Sequence, residues 1–465
     1  MATNISTINR TRGDWIKIIL TLLPVVMFLI PTNDIFTGQL RLFFVMTLIA
    51  IISFATDSLP QTGVALALPI LYIITGLAEG ATAFAAWLNY VPWMLIGGLI
   101  LAVILEKTGL LKRTAYHCIL LTGASYKGMI WGLTLTGVIL NLFILDNACI
   151  PMAALSYGIC RALELKPGKA SGGIMISAAL ASLLPLNYLY STNIMILLGF
   201  GESAGGPKSV GWFEIVHHQA PMVLYTIIMA FLCTIIFKPS EPINGKDYFR
   251  GELAKMGKMS SQEKKSLVIL ILLFTFLLTS NTFGIDAAWG FAVIPCLFFL
   301  PGVDLATPED IKKVNWGFIF FVTACLSIGN VAGALGIGQL VANMALPVLS
   351  GKSYYLFYLF VWVLFFLMNF LMTPMAMMAA FTQPLTEICL NLGIEPMTLY
   401  YIISSGIDQI VLPYEYALYL IFFSFGMIRV ADFAKIMSMK IVVNFALVFG
   451  LLIPYWHMMD MIFIH

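Results

Sequence analysis

Between Met397 and Gly426 the chain is apolar over a length that would carry a helix across a bilayer. Its middle nevertheless reads Ser404-Ser405-Gly406-Ile407-Asp408-Gln409-Ile410-Val411-Leu412-Pro413-Tyr414-Glu415-Tyr416. No other stretch constrains the fold as much. One Asp at the centre of a spanning helix costs about 2.5–3.5 kcal/mol on insertion scales. Pro413 removes a backbone donor and crowds the preceding turn. Irregular backbone at membrane depth survives only where protein buries it or a wet cavity borders it. The segment therefore reads as a broken helix lining a polar cavity.

A weaker copy stands in the first half, where Leu184-Pro185-Leu186-Asn187-Tyr188 matches Leu412-Pro413-Tyr414-Glu415-Tyr416. Each lies midway along a long apolar segment. Interrupted segments at corresponding places in two halves indicate internal repeats of the kind that transport solutes. Charged residues make up only 10% of the chain and hydrophobic ones 60%, whereas a soluble domain carries about 25% charge. The chain therefore reads as an all-α polytopic membrane protein. The seven cysteines are scattered with no CxxC pair, which argues against a disulfide framework or a zinc site. The polar N-terminus enters an apolar run without an obvious cleavage site.

Apolar runs predict spans near residues 16–31, 41–56, 62–79 and 88–106. Residues 128–145 and 149–164 are shorter arms around Asp146-Asn147-Ala148 and read as a re-entrant hairpin. The interrupted segment 170–200 and a span at 216–237 follow. The polar stretch 238–266 reads as a linker, and the plan then repeats. Spans fall near 267–282, 287–300 and 316–336, hairpin arms at 353–371 and 377–392, the broken segment at 397–426 and a last span near 441–457. The total is about 11 transmembrane helices plus two hairpins in an inverted repeat. The parts run 1–127 and 267–352 (scaffold spans), 128–237 and 353–465 (hairpin, broken helix and following span), with 238–266 between them. With the N-terminus inside and the C-terminus outside, all but Arg41, Lys208 and Lys352 of the 25 Lys and Arg face the cytoplasm. That asymmetry is the one the positive-inside rule requires of an inner-membrane protein.

Several local patterns resemble the divalent anion/sodium symporter family, the carboxylate and sulfate carriers of the wider ion transporter superfamily. Glu106-Lys107-Thr108-Gly109-Leu110-Leu111-Lys112-Arg113 is similar to the family's loop after its fourth helix. Lys166-Pro167-Gly168-Lys169-Ala170-Ser171 is similar to the entry of its fifth, and Asn315-Trp316-Gly317 to the start of its ninth. The order of spans, hairpins and broken helices agrees over nearly the whole chain. The resemblance implies an inverted-repeat homodimer with a scaffold domain, a moving transport domain and elevator-type alternating access. It also implies that the hairpin tips hold substrate and sodium. Family members usually carry Ser-Asn-Thr at both tips. Here the tips read Asp146-Asn147-Ala148 and Thr373-Pro374-Met375-Ala376.

A hairpin tip exposes the N-terminal N–H groups of its second arm, which favour an anion, while unwound carbonyls can take Na⁺. Such a site needs no intramembrane Lys or Arg, and the site segments contain none. The expected substrate-binding residues are Asn147, Ala148, Asn187, Ser191, Thr192, Asn193, Thr373, Pro413 and Tyr414. Asp146, Asp408 and Glu415 are expected to hold a coupling ion or proton. For Asp146 the alternative is an N-cap on the second arm. For Asp408 and Glu415 it is a half-helix cap and a contact with water. Asn187 would be the first-half counterpart of Glu415. Glu106 with Lys107 reads as a helix-end ion pair, and His217-His218 as an interfacial anchor at the start of a span.

The sequence thus describes a secondary active transporter of a small divalent or polyvalent anion, a di- or tricarboxylate or sulfate-like oxyanion. It would be coupled to Na⁺ or H⁺, with no organic cofactor, no resident metal and no nucleic-acid partner. A sodium/proton antiporter of the same superfamily and a non-transporting scaffold are the alternatives. An intramembrane enzyme would need a nucleophile–base pair or metal ligands at depth, and the sequence offers none.

Overall fold

The computed structural model describes residues 12–33, 36–56, 58–143, 148–239, 241–337, 353–370 and 374–464. The apolar runs become helices, and no strand forms among the described residues beyond two isolated bridges. The longer helices are α1 Arg12–Leu22, α2 Gly38–Thr56, α3 Gln61–Ile74, α4 Tyr90–Thr108, α5 Leu110–Leu121, α6 Tyr126–Phe143, α7 Cys149–Ala162, α8 Lys169–Leu183, α9 Thr192–Glu202 and α10 Val223–Ile236. They continue with α11 Lys246–Met256, α12 Ser261–Thr279, α13 Trp316–Ala334, α14 Tyr354–Met368, α15 Pro374–Asn391, α16 Pro396–Ile407, α17 Ala417–Ser424 and α18 Val430–Leu447. Four helical stretches among the described residues are long and apolar enough to cross a membrane: Tyr90–Thr108, Lys169–Glu202, Trp316–Ala334 and Val430–Met458. Trp212–His218 and Ala220–Ile236, bent by 70°, together make a fifth. His217 and His218 lie at the end of the short first helix of that pair, where His218 Nδ1 is 3.1 Å from Tyr401 Oη.

Both interrupted segments break where the Leu-Pro copies stand. Leu184–Asn187 and Pro413–Glu415 each form a 3₁₀ turn, as expected where a proline in the first two positions cannot continue an α-helical ladder. The two halves then repeat a packing pattern. In each, the helix ahead of the break lies against both arms that precede it, α8 on α6 and α7, α16 on α14 and α15. The helix after each break packs on the second arm of the opposite half, α9 on α15 and α17 on α7. A glycine permits the close approach in both. A Cβ at Gly137 would run into the Ala181 backbone, and one at Gly406 would come 2.8 Å from Phe365 Cβ. Small residues let apolar helices approach in this way where no water drives them together.

Around these elements α13 packs on α3, and the short helix Ala288–Val293 packs on α4. The stretch that reads as the linker contains α11 and the start of α12. Ser260 caps α12, its Oγ accepting from Glu263 N at 3.1 Å, while Glu263 accepts from Ser260 N at 2.7 Å. The same Glu263 carboxylate takes both Nε and Nη2 of Arg113 on α5, at 2.7 and 3.1 Å. The guanidinium and the cap hold Glu263 below the usual carboxylate range against the effect of burial. The expected Glu106–Lys107 pair does not form. Lys107 reaches across to Asp310 at 2.7 Å, and Lys313 reaches the same carboxylate at 3.0 Å. Burial would raise Asp310, but the two ammonium groups and Thr307 hold it below the normal range. A contact between adjacent residues loses here to a buried carboxylate that gathers Lys107, Lys313 and Thr307 around it.

Candidate functional site

The two breaks meet at Asp408. This residue ends α16, so its carboxylate lies beside the free carbonyls of a helix C-terminus, a place that disfavours an anion. The arrangement is neutralised by Lys440 from α18, whose side chain is fully buried. Its Nζ lies 2.9 Å from Asp408 Oδ1 and also donates to the Asp408 backbone oxygen. From the first half, Asn187 Nδ2 approaches Asp408 Oδ2 at 3.5 Å and Tyr225 Oη approaches the same atom at 3.4 Å. Other carbonyls at this helix end also have partners. Asn369 Nδ2 donates to Gly406 O at 3.2 Å and Gln409 O at 3.1 Å, and Gln409 Nε2 donates to Ser405 O at 2.6 Å. One turn along α18 from Lys440, Asn444 Oδ1 accepts from Ser405 Oγ at 2.8 Å and from Trp362 Nε1 at 3.0 Å.

The expectation that Lys and Arg stay out of the site is therefore corrected. Lys440 lies just before the run that reads as the last span, but the helix itself starts at Val430. An ammonium at that depth is tolerated because a carboxylate and a backbone carbonyl meet it. Tyr225, Asn369 and Asn444 were likewise not singled out by sequence. Their only signal was a polar group inside an apolar run.

Glu415 has a different role from Asp408. Its carboxylate turns back on its own chain and accepts from Val411 N at 3.2 Å and Leu412 N at 2.8 Å. It caps the 3₁₀ turn that Pro413 begins. Asn187 stays on its own turn through Leu184 O at 3.2 Å but also looks across to Asp408, so it partners the opposite half instead of mirroring Glu415. Asp408 and Glu415 do not share a helix face, because the helix ends between them.

Of the other expected residues, Ser191 is the N-cap of α9, its Oγ accepting from Ile194 N at 3.5 Å. Thr192 and Asn193 form the first turn of α9, and Ala148, fully buried, occupies the N-cap position of α7. Tyr414 contributes backbone to the turn after Pro413. Asp146, Asn147 and Thr373 lie outside the described residues.

Two cavities open at this place. A small one of about 30 Å³ lies between the breaks, lined by Asn187, Asn193, Pro374, Ser404, Asp408 and Tyr416 among others. It has room for water or a bare ion, since a water needs about 10–15 Å³. It does not have room for an organic anion. The second is a cleft of about 530 Å³ that shares Asn193, Pro374 and Tyr416 with the first. That size suits a small-molecule site, typically about 300–1,000 Å³. One wall carries α9 and α17 residues with Pro374 and Glu415, and the other carries α4 and α13 residues. It runs toward Glu106, Lys313 and Asn315, the basic edge of the molecule. Thr192 and Asn193 place the N-terminus of α9 on the cleft, with free N–H groups that favour an anion.

The pattern of the sodium:sulfate symporter transmembrane region matches residues 12–462. The chain belongs to that family. Its relatives include the sodium-dependent dicarboxylate transporter SdcS of Staphylococcus saprophyticus, 25% identical over 316 residues, 61% of this chain and 60% of that one. The sodium-dependent high-affinity dicarboxylate transporter 3 of Caenorhabditis elegans is 21% identical, over 64% of this chain and 61% of the relative. The chloroplastic dicarboxylate transporter 1 of Spinacia oleracea is 22% identical, over 70% and 60%. The matched part spans about 60% of the length of these relatives. Among solved structures, the YdaH transporter of Alcanivorax borkumensis superposes with a TM-score of 0.59 at 13% identity, covering 97% of this chain and 99% of that one. MtrF of Neisseria gonorrhoeae, from a class of antimetabolite efflux pumps, gives 0.56 at 12% identity, over 96% and 95%. At that identity the likeness concerns the fold. The family and these relatives are transporters, not enzymes.

Proposed function

We propose that this sodium:sulfate symporter family member is a secondary transporter of a small dicarboxylate or similar polyvalent oxyanion across the cytoplasmic membrane, driven by Na⁺ or H⁺. The observation that carries this reading is the pairing of two cavities at the meeting of the two breaks. One is ion-sized and holds Asp408; the other is anion-sized and bordered by the α9 N-terminus. The names of the relatives support a dicarboxylate over other anions. The crossed packing of each post-break helix on the opposite half supports residues 128–237 and 353–465 acting as one moving body. The pairs α13–α3 and Ala288–Val293 with α4 support residues 1–127 and 267–352 as the frame it moves against. In this reading the cleft is the route to the cytoplasm, the protein works as an elevator, and two copies form the dimer.

The test is thermal stability of the purified protein with a panel of di- and tricarboxylates and sulfate, each in sodium and in potassium, at two pH values. A ligand at about 100 times its dissociation constant adds roughly 2.7 kcal/mol. Stabilisation by one anion class, strengthened by sodium or by acid, is the expected result. Response to sodium or pH with no anion effect would replace this reading with sodium/proton antiport.

A further inference from the structure

Each half-helix end is met by a side-chain amide from the first arm of its own half or the residue that follows that arm. At the end of α8, Asn141 Nδ2 donates to Ser182 O at 3.0 Å and Asn187 Nδ2 to Leu184 O. At the end of α16, Asn369 supplies the matching amide. The second end has Asp408 in addition, and there an ammonium sits on the carboxylate and on the backbone oxygen together. Among the described residues no Lys or Arg reaches the end of α8. A carboxylate and a backbone carbonyl converging at an unwound helix end form an all-oxygen donor set of the kind that holds a small hard cation. Lys440 occupies that set from a rigid helix, and Asn444 on the same face fixes α18 against Ser405.

We infer that Lys440 stands in for a coupling cation at the α16 end. The second half then carries its positive charge covalently and binds no sodium there, and any sodium that couples transport is held elsewhere. The inference rests on the transport reading above and deepens it. A mobile ion leaves with the substrate and must be loaded in each cycle; a tethered ammonium stays with its carboxylate through loading and release. The binding place it fills should open when the side chain is shortened, because the Asp408 carboxylate and backbone oxygen remain.

The experiment follows sodium in the absence of any anion. Wild type, Lys440→Ala, Lys440→Arg and Asp408→Asn/Lys440→Ala are melted as full chains in sodium, potassium and choline chloride. Lys440→Ala should melt below wild type in choline. In sodium it should regain at least about 2 °C more than wild type does, with saturation. Lys440→Arg should behave as wild type, and the double variant should lose the extra gain. A Lys440→Ala protein no more sodium-sensitive than wild type would overturn the inference. Should that variant fail to fold in every salt, Lys440→Gln and Lys440→Met take its place in the same melts, and a sodium gain no larger than that of wild type in both overturns the inference. Failure of the transport reading would show separately, as no stabilisation or uptake with any anion, while the sodium melts of the variants stay readable.

Discussion

Glu415 is 4% exposed, and its carboxylate spends both oxygens on backbone N–H groups of the loop that precedes it. In that arrangement it caps the turn of the break. Glu415→Gln keeps one acceptor oxygen and brings an NH₂ against a donor, so one of the two backbone hydrogen bonds is lost. The expected cost is about 1–3 kcal/mol, read as a lower melting midpoint with the sodium and pH dependence of transport unchanged. A variant of normal stability but altered pH dependence would instead make Glu415 a proton carrier. Asp408, seven residues earlier, has the opposite character. Its partners come from the Leu184–Asn187 turn and α10 of the first half and from α18, so changes there act on several elements together.

At the scale of elements, the contact of α6 with α8 depends on Gly137, whose missing side chain leaves room for the Ala181 backbone. Gly137→Leu should push the first arm off the broken helix. The expected destabilisation is about 1–3 kcal/mol or more, with weakened anion stabilisation, because α8 leads into the break that lines the small cavity. Hydrogen exchange concentrated in residues 126–187 would check it. This region also shows how far a sequence can be read. Pro185 and Pro413 announced both breaks, because a proline and polar groups within an apolar run allow few other structures. The arms appeared at their expected places for the same reason of hydropathy. The start of α18 was not legible: Asp432, Lys435 and Lys440 lower the local hydropathy, and only the fold shows that Lys440 faces inward to Asp408. The direction Glu415 faces was not legible either. A carboxylate within four residues of free N–H groups can cap them or point into a cavity, and the sequence pattern is the same for both.

Across the whole molecule, the basic edge is tied by ion pairs on buried carboxylates that join distant parts of the chain. Arg113 on α5 binds Glu263 at the start of α12, and Lys107 on α4 binds Asp310. Because Glu263 is held below its ordinary value of about 4.3, its contribution is complete above that value and disappears as pH falls through the lower folded-state value. The melting midpoint should therefore be nearly level from about pH 7 to pH 5 as far as this group is concerned, then decline in acid. Glu263→Gln should start lower at neutral pH and lose less on acidification, as a melting series across pH would show. The site has a different consequence at this scale. Asp408 and Lys440 are opposite charges held 2.9 Å apart, so any displacement that carries one carries the other. Moving a single elementary charge through the membrane field involves about 2.3 kcal/mol per 100 mV. A bonded pair of zero net charge experiences almost none of that work, so resting voltage exerts little net pull on this pair. Whatever sensitivity to membrane potential transport has comes from charges other than Asp408 and Lys440.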